Sequence, residues 1–585
     1  MVVPISPEFE QALVAPLDLI QTRFEKGTTN SNTFVQDVQM QFLQLFNSDE
    51  ARNKIPFLTP KLIEEYRSSS SSRSSNKLVR WRCMIQDTNL GNEVLPSQYR
   101  ASDGTTKNGL FGASSRAGDS AQQTLDTDAG FNSLATLCGV SLPAQSEWSK
   151  QIDEGIEGIG RSQDSTTNAS RANSSTLSDK LPRNEGEAIL LKIYDEDVAE
   201  KLQVSQIVDV MGILDHTVLP SADWTSMGSN QANEEHSSSP ATTHATLHVI
   251  ALEVGRQQGK AASQSNNQQI DQNVRKELLQ LLDRSVGGDS LVAEWLLLAL
   301  AARIHTRSAG HMLGALTLNI SNFPTTPKEK GDESNLLTTL RAVLPFVADQ
   351  SLELTHLNAP STIFAPKSDA DERGLKAGRL QLVRHSVLFI DESSMNEGQL
   401  RENGINNIRS LSTVLQTQKL PYTFPFSTHE MDTHLSCIIT SQGKSFLPID
   451  VQVPWQGTSS DVFNITSLDS SPNATLPAIR EYLSNVQQLA GSSSQFTISN
   501  EISEKIQDDF VTIRKANQAA TSANSIDTQT PLITIMDTQE DLARIIQVAR
   551  LICLTKGQKA LSWQDWQDAK RLEQDRLTRL NAIKA

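Results

Sequence analysis

Long stretches rich in small and polar residues, chiefly Ser with Gly, Thr and Asp or with Asn and Gln, interrupt this sequence and limit how much of it can form a hydrophobic core. They occupy residues 68–76, 101–128, 158–186, 226–245 and 258–272. Hydrophobic residues make up only 37% of the 585 residues, and aromatic residues 5%. Because such segments bury too little apolar surface to offset the entropy lost on folding, we predict linkers and loop insertions between separately folded parts.

The charge and the cysteines restrict the class of protein. Lys and Arg total 52 and Asp and Glu 68, so the net charge is −16 and a general coat for duplex DNA is disfavoured. Cys83, Cys138, Cys437 and Cys553 are far apart and form no C-x-x-C pair. This pattern argues against a zinc ribbon or a disulfide framework and predicts a nuclear or cytosolic protein.

No segment has the pattern of a secretory signal or a membrane span. The first residues, MVVPISPEFE, lack a basic region followed by an apolar one. The longest apolar run, LVAEWLLLALAA at 291–302, is shorter than the roughly 20 residues that cross a bilayer and contains Glu294. A buried core helix is the better interpretation.

The first half of the chain divides into two predicted parts. Residues 1–76 form an N-terminal helical segment, since apolar residues recur there with helical spacing. Residues 77–256 contain widely spaced runs rich in β-branched residues, such as LVRWRCMIQD at 78–87. These runs predict a small antiparallel barrel of the OB type or a β-sandwich, with disordered insertions at about 101–186 and 222–245.

The second half alternates helices and strands and is predicted to be α/β. Residues 273–500 read as a degenerate AAA-type α/β domain, and residues 501–585 as a C-terminal helical lid. Asp289 and Ser290 can cap a helix that is apolar around most of its circumference and must therefore be interior. The run LSCIITS at 435–441 is apolar on both faces, which is typical of a buried parallel strand.

The sharpest motif is VLFIDE at 387–392, four apolar residues followed by Asp391 and Glu392. In a P-loop nucleotidase this is the Walker B strand, whose first acid holds Mg²⁺ and whose second orients the attacking water. Thr440 and Ser441, at the end of the next buried strand, match the place of a polar sensor residue. The alternative is a buried strand whose end simply reaches solvent at two acids.

A phosphate-binding loop G-x-x-x-x-G-K-[ST] is absent from the sequence. The loop expected to carry it, residues 322–331, contains two prolines, which lack the amide donors that a phosphate requires. Gly443-Lys444-Ser445 has no first glycine and precedes a proline instead of a helix. We therefore predict no catalytic residues, no cofactor and no enzymatic activity.

Other candidate sites have weaker patterns. The histidines of His429-Glu430-Met431-Asp432-Thr433-His434 are one residue too far apart for a metalloprotease box, so no metal site is predicted. Trp81 with its flanking arginines could stack on single-stranded nucleic acid, or be a core residue.

The last helix carries four positive charges that are candidate partner-binding residues: Lys570, Arg571, Arg576 and Arg579. They either contact an acidic partner surface or form a solvated face that interacts favourably with the helix dipole.

Several blocks together resemble the minichromosome maintenance (MCM) complex-binding protein family. The most distinctive is residues 387–448, which contains the acidic strand end. The others, in chain order, are IPFLTPKLIEEY (55–66), LVRWRCMIQD (78–87), VAEWLLLAL (292–300), LTLNIS (316–321), EISEKIQDDFVTIRK (501–515) and the block at 541–580. The resemblance runs from end to end in the right order, but residues 101–180 and 222–272 diverge.

The resemblance implies a non-catalytic nuclear protein that binds MCM helicase subunits. Such a protein would govern the assembly, stability or unloading of these subunits from chromatin during DNA replication. The family looks distantly related to the MCM subunits themselves, which implies a pseudo-ATPase acting by mimicry of a ring neighbour, with Asp391 and Glu392 structural. The rival functions are a single-stranded nucleic-acid-binding OB protein and a weakly active AAA-type ATPase.

Overall fold

The computed structural model describes most of the chain outside the low-complexity stretches. The described ranges are residues 6–27, 31–68, 77–100, 104–112, 124–125, 130–155, 177–219, 242–255, 271–308, 311–324, 334–368, 374–395, 397–458, 462, 475–494, 496–523 and 538–584.

In the described part of residues 6–77, five helices precede the first strand. They are α1 (Pro7–Val14), α2 (Pro16–Lys26), α3 (Ser31–Leu45), α4 (Asp49–Asn53) and α5 (Pro60–Ser68). Helix α1 begins where the local chemistry favours it, since the Ser6 side chain accepts a hydrogen bond from the Phe9 amide and a proline follows the cap. The apolar faces of α1 to α3 pack against sheet residues that include Leu78 and Ile250.

Nine strands and two α-helices follow among the residues described up to 255. They are β1 (Leu78–Asp87), β2 (Asn92–Pro96), β3 (Gln98–Arg100), β4 (Thr106–Asn108), β5 (Thr124–Leu125), β6 (Phe131–Ser141), α6 (Glu147–Glu154), β7 (Ala188–Ile193), α7 (Glu196–Lys201), β8 (Ile207–Leu219) and β9 (Thr242–Val254). The order of the larger sheet is β1-β8-β9-β7-β6-β2. Strand β1 also pairs with β6, so the hydrogen-bonded pairings of five strands form a closed circuit.

The side chains on one face of this circuit of strands pack together as an apolar core. Trp81, Leu137, Leu191 and Val210 are among its buried residues. All pairings in the circuit are antiparallel except that between β7 and β9. Strand β6 lies inside the span 101–186 for which the sequence analysis predicted only insertions, and it supplies a central strand.

The second half contains α8 (Gln272–Ser285), α9 (Ser290–Ala301), β10 (Thr306–Ser308), β11 (His311–Leu313), β12 (Leu318–Ser321), α10 (Asn335–Val343), β13 (Val347–Ser351), α11 (Leu354–Asn358), β14 (Val387–Asp391), α12 (Glu402–Thr417), β15 (Lys419–Phe424), β16 (Ser427–Asp432), β17 (Ser436–Thr440) and β18 (Val451–Pro454). Five of these strands form an all-parallel sheet in the order β13-β14-β17-β12-β18. Strands β15 and β16 form a separate antiparallel hairpin.

Both faces of the parallel sheet are covered, as its apolar strands require. Alternate residues of β14 enter different cores, Val387 and Phe389 on one side and Leu388 and Ile390 on the other. Helix α9 lies in the larger core with ten of its twelve residues buried. The predicted cap is confirmed, because the Asp289 side chain accepts a hydrogen bond from the Val292 amide.

The chain ends in four helices, α13 (Thr475–Ala490), α14 (Asn500–Ala523), α15 (Gln539–Thr555) and α16 (Trp563–Lys584). They contribute to the same core as α9, and α16 packs along the edge strand β18. The predicted mixed α/β fold is therefore confirmed, whereas the OB-type and AAA-type assignments and the domain boundaries stay predictions.

A buried interface joins the circuit of strands to the α/β part. Asp87 accepts hydrogen bonds from the Lys180 ammonium at 2.7 Å and from the Leu375 amide at 3.1 Å. Gln381 donates to the Gln86 carbonyl at 2.9 Å. Because these groups are almost completely buried, the bonds fix one relative orientation of the two parts.

The stability of the α/β part should depend on Trp295, a fully buried residue of α9. We expect Trp295→Ala to lower the free energy of unfolding by about 3 to 5 kcal/mol, since it removes apolar contacts and leaves a cavity. Ile405→Ala, at a helix position 46% exposed, should cost under about 1 kcal/mol. Urea denaturation followed by circular dichroism measures both. Equal losses in the two variants would contradict this account of the core.

Candidate functional site

The carboxyl end of the parallel sheet brings together the acidic and hydroxyl residues singled out in the sequence. Asp391 and Thr440 are in register on neighbouring strands, and the Thr440 hydroxyl donates to the Asp391 carboxylate at 3.4 Å. The Ser445 hydroxyl donates to Glu392. The Ser441 hydroxyl accepts a hydrogen bond from the side-chain amide of Asn319 at 2.9 Å and donates one to the Gly443 carbonyl at 2.7 Å.

These bonds tie the strand ends together, although the buried Asn319 Oδ1 and Ser321 Oγ atoms of β12 have no hydrogen-bond partner in the described part of the chain. Burial raises the pKa of Glu392, and the hydrogen bonds from Ser445 and from the Leu447 and Phe446 amides oppose that rise. The hydroxyl donors are thus used within the protein. The roles of Asp391, Glu392, Thr440 and Ser441 as vestigial Walker B and sensor residues stay predictions.

The chain that follows β12 does not have the geometry of a phosphate-binding loop over the residues described there. The Phe323 amide donates to the Ser441 carbonyl at 3.0 Å, so it is not available to a phosphate. The Phe323 ring is buried and meets the Trp455 ring edge-on, with 5.8 Å between centroids. Pro324 follows and has no amide hydrogen. Residues 325–331 of the predicted loop lie outside the described residues.

The four basic residues of α16 differ in their surroundings. Lys570 pairs with Asp509 at 2.7 Å, and Arg576 with Glu573 at 2.7 Å. Arg579 donates to the almost fully buried carboxylate of Asp289 at 2.6 Å. Arg571 pairs with Asp568 at 3.3 Å, but its side chain is 74% exposed.

Three of these residues therefore attach α16 to the rest of the fold. Arg576 also donates to the Gln452 carbonyl of β18 at 3.0 Å, and Arg579 to the Pro454 carbonyl at 3.3 Å. A partner that approached this helix would meet Arg571 first. The role of Lys570, Arg571, Arg576 and Arg579 in partner binding stays a prediction.

Replacing Arg579 tests whether its pair with Asp289 stabilises the fold. Arg579→Ala leaves the Asp289 carboxylate buried without its guanidinium, so we expect the free energy of unfolding to fall by about 2 to 3 kcal/mol. Arg571→Ala, which removes an exposed pair, should change it by less than about 0.5 kcal/mol. Chemical denaturation of the two variants makes the comparison. A neutral Arg579→Ala would show that the Asp289 pair does not hold α16.

A cavity of about 1190 Å³ lies between the circuit of strands and the α/β part. On the side of the circuit two arginines of its wall are paired with acids, since Arg52 contacts Glu253 at 2.8 Å and Arg82 lies between Asp153 and Asp209. The α/β side contributes three arginines and two histidines, together with Glu481. The arginines are Arg303, Arg384 and Arg480, and the histidines are His385 and His434.

Two of these arginines are held in the cavity wall by contacts with uncharged groups. Arg303 is buried and donates to the Ala302 carbonyl at 2.8 Å and the Ser436 hydroxyl at 2.7 Å. Arg480 lies 3.9 Å from the centroid of the Trp148 ring and donates to the Ala342 carbonyl at 2.9 Å. Burial lowers the pKa of each guanidinium to about 10. Both remain charged at neutral pH.

The two histidines in the cavity wall are held in their neutral form. Their rings meet edge-on with centroids 5.2 Å apart, and the Nδ1 atom of each has no hydrogen-bond partner in the described part of the chain. Burial, followed by the charge of Arg303, lowers the pKa of His385 to about 3. Burial, followed by Arg307, lowers the pKa of His434 to about 4.

This pair should make the protein less stable in mild acid. An unfolded histidine titrates near pH 6.5, so below that pH the unfolded chain binds protons that the folded chain does not, and stability falls as the pH falls. We expect His385→Asn to reduce the stability lost between pH 7 and pH 5 by about 1 to 2 kcal/mol. Asn tolerates the positive φ of 72° at this position.

Urea denaturation at the two pH values measures this loss. His429→Asn, on an exposed hairpin strand, is the matched control and should leave the pH dependence unchanged. The same pH dependence in wild type and His385→Asn would contradict the assignment.

Trp81 lies in the core of the closed circuit with 4% of its surface exposed. Arg80 stacks on Phe57, with 5.3 Å from the guanidinium carbon to the ring centroid, and Arg82 pairs with acids. Base stacking needs an exposed ring, so this arrangement does not support the nucleic-acid function considered for Trp81.

The sequence analysis named Trp81 and His434 as candidates for other kinds of site, but it missed Arg303 and His385. Arg303 follows directly on the apolar run that forms α9, but a charge at that position gives no signal of burial. His385 gives no signal either, since its contact with His434 depends on how the loop before β14 meets the loop before β17. Among the helices of the described residues, none has both the length and the apolarity needed to cross a bilayer.

The fold and this site define the class of protein. Its parallel sheet ends in acidic and hydroxyl residues, and its sequence contains no phosphate-binding motif. The sequence pattern of the family described as mini-chromosome maintenance replisome factor matches residues 42–175 and 160–580. The chain belongs to this family, which confirms the resemblance found in the sequence.

Relatives in distant organisms match along nearly the whole chain. A human protein named mini-chromosome maintenance complex-binding protein is 26% identical over 98% of both chains. Proteins of the same name from Salmo salar and Arabidopsis thaliana are each 25% identical, over 97% and 92% of both chains respectively. The names of these relatives describe proteins that bind the mini-chromosome maintenance complex.

Proposed function

We propose that this chain is a non-catalytic nuclear protein that binds MCM helicase subunits and regulates their assembly, stability or unloading from chromatin during DNA replication. The observation that carries the proposal is the end-to-end match to relatives named for binding the MCM complex. A match over nearly the whole length makes it reasonable to transfer the binding partner, because both folded parts are included.

The α/β part supports the proposal through its strand order. Numbered along the chain, its parallel strands β12, β13, β14, β17 and β18 lie in the order 5-1-4-3-2. In AAA-type domains the sensor strand likewise lies between the Walker B strand and the strand that leads to the phosphate loop. Here those positions belong to β17, β14 and β12, which supports a degenerate AAA-type domain.

The closed circuit supports an OB-type domain in the same way. Its five strands β1, β6, β7, β8 and β9 pair in the order 1-2-3-5-4-1, and only strands 3 and 5 are parallel. The short helix α7 lies between strands 3 and 4. This is the arrangement of a small Greek-key barrel of the OB type.

The two domain types together suggest how binding works. A chain built like a helicase subunit presents the packing surfaces of a ring neighbour, but its Phe323 amide is bonded to Ser441 instead of to a phosphate. We therefore infer that it occupies the place of a neighbouring subunit without forming a hydrolytic site. Mimicry of this kind would keep MCM subunits apart from the normal hexamer.

The test is a pull-down of the full tagged chain from soluble nuclear extract at moderate salt, with quantitative mass spectrometry. We expect several MCM subunits to be recovered together. One subunit at background would identify the one whose place this chain takes. Recovery of no MCM subunit would overturn the proposal.

A matched variant tests the absence of catalysis. Glu392→Gln removes the acid that would orient an attacking water, so in an ATPase it would abolish turnover. We expect purified wild-type protein and the variant to release phosphate from ATP at the same background rate, and to recover MCM subunits equally. A wild-type rate above that of the variant would support the weak ATPase instead.

A further inference from the structure

The hairpin of β15 and β16 carries the most exposed large apolar residue among those described. Its strands are in register from Lys419 with Asp432 to Phe424 with Ser427, which leaves Pro425 and Phe426 as a two-residue turn. The Phe426 side chain is 99% exposed. A whole aromatic ring in water at the tip of a hairpin lacks the packing that such a residue ordinarily has.

The base of the hairpin is firmly held. Leu420 and Tyr422 are buried in the smaller core of the α/β part. Arg307 donates to the Thr433 carbonyl at 2.6 Å and pairs with Asp432 at 3.4 Å. The ring is therefore presented on a fixed support, and its burial against a partner would require little further ordering of the chain.

Strand β15, the inner strand of the hairpin, is hydrogen-bonded along both of its edges. Besides its pairing with β16, Thr423 donates its amide to the Pro366 carbonyl at 3.0 Å and accepts from the Ser368 amide at 2.8 Å. All six residues of β16 are exposed. The hairpin thus projects one strand and its tip into solvent, while the other strand anchors it.

The charges of the hairpin select the kind of partner. The hairpin 419–432 contains two acids, Glu430 and Asp432, and one cation, Lys419. Lys419 pairs with Glu430 at 3.4 Å and Arg307 pairs with Asp432 at 3.4 Å, while each acidic side chain remains 53% exposed. A nucleic-acid contact needs cations to neutralise phosphates, so the hairpin is unsuited to it. An apolar protein pocket with a neutral or basic rim fits both the ring and the acids.

We propose that the hairpin 419–432 is a docking element of this chain, with Phe426 as the anchor that enters an apolar pocket on an MCM subunit. The proposal rests on the function proposed above, which supplies the partner. The exposed strand β16, whose acids lie toward the base of the hairpin, then faces the partner surface beside that pocket. Pro425 limits the conformations of the turn that carries the ring.

The test measures the affinity of the full-length purified chain for the MCM subunits recovered in the pull-down, by biolayer interferometry at fixed salt. Phe426→Ala should weaken binding by about 30-fold, the scale of an anchor residue at an interface. Because the side chain packs on little, the melting temperature should not change. Phe426→Leu, which keeps an apolar side chain, should retain most of the affinity.

A matched control and the wild type make the result decisive. Phe131→Ala removes another exposed ring, 56% exposed and on the closed circuit, and should leave the affinity unchanged. Phe426→Ala binding within twofold of wild type would overturn the docking role. So would an effect of this variant on self-association or single-stranded DNA binding with MCM affinity unchanged. If the wild type itself bound no MCM subunit, the proposed function would fail, and the docking role with it.

Discussion

The burial of helix α9 on every side is the constraint on which the α/β part depends. The helix can exist only if the parallel sheet, the preceding helix α8 and the C-terminal helices cover it, because almost none of its surface tolerates water. Its first turn is fixed by Asp289, which caps the helix, accepts from the Gln456 amide at 2.8 Å and pairs with Arg579. A single carboxylate thereby links the helix, the end of the sheet and the last helix of the chain.

The buried contacts between the two folded parts determine where a partner can approach. Lys180, Asp87 and Gln381 lock the circuit of strands against the α/β part, and the large cavity lies between these parts. The same orientation leaves the hairpin 419–432 projecting from the surface. Rigid placement of both features is suited to recognising another protein, because little conformational entropy remains to be lost on binding.

The polar groups at the end of the parallel sheet are held mainly by bonds to one another and to the nearby backbone. Asp391, Glu392, Thr440 and Ser441 make hydrogen bonds with one another or with nearby groups. Buried polar groups are costly when unpaired, and hydroxyl groups and backbone amides pair with most of those at this end of the sheet.

The sequence by itself determined the elements whose signals are local: the apolar helix with its cap at Asp289, the parallel strands around Asp391 and Cys437, and the family. It did not reveal the strand Phe131–Ser141, because that strand lies among low-complexity residues and is stabilised only by pairing with distant strands. Only the tertiary structure decided that Trp81 is a core residue, that Arg579 holds Asp289, and that His385 meets His434. These outcomes depend on contacts between residues far apart in the chain, where the spacing of residue types carries no information.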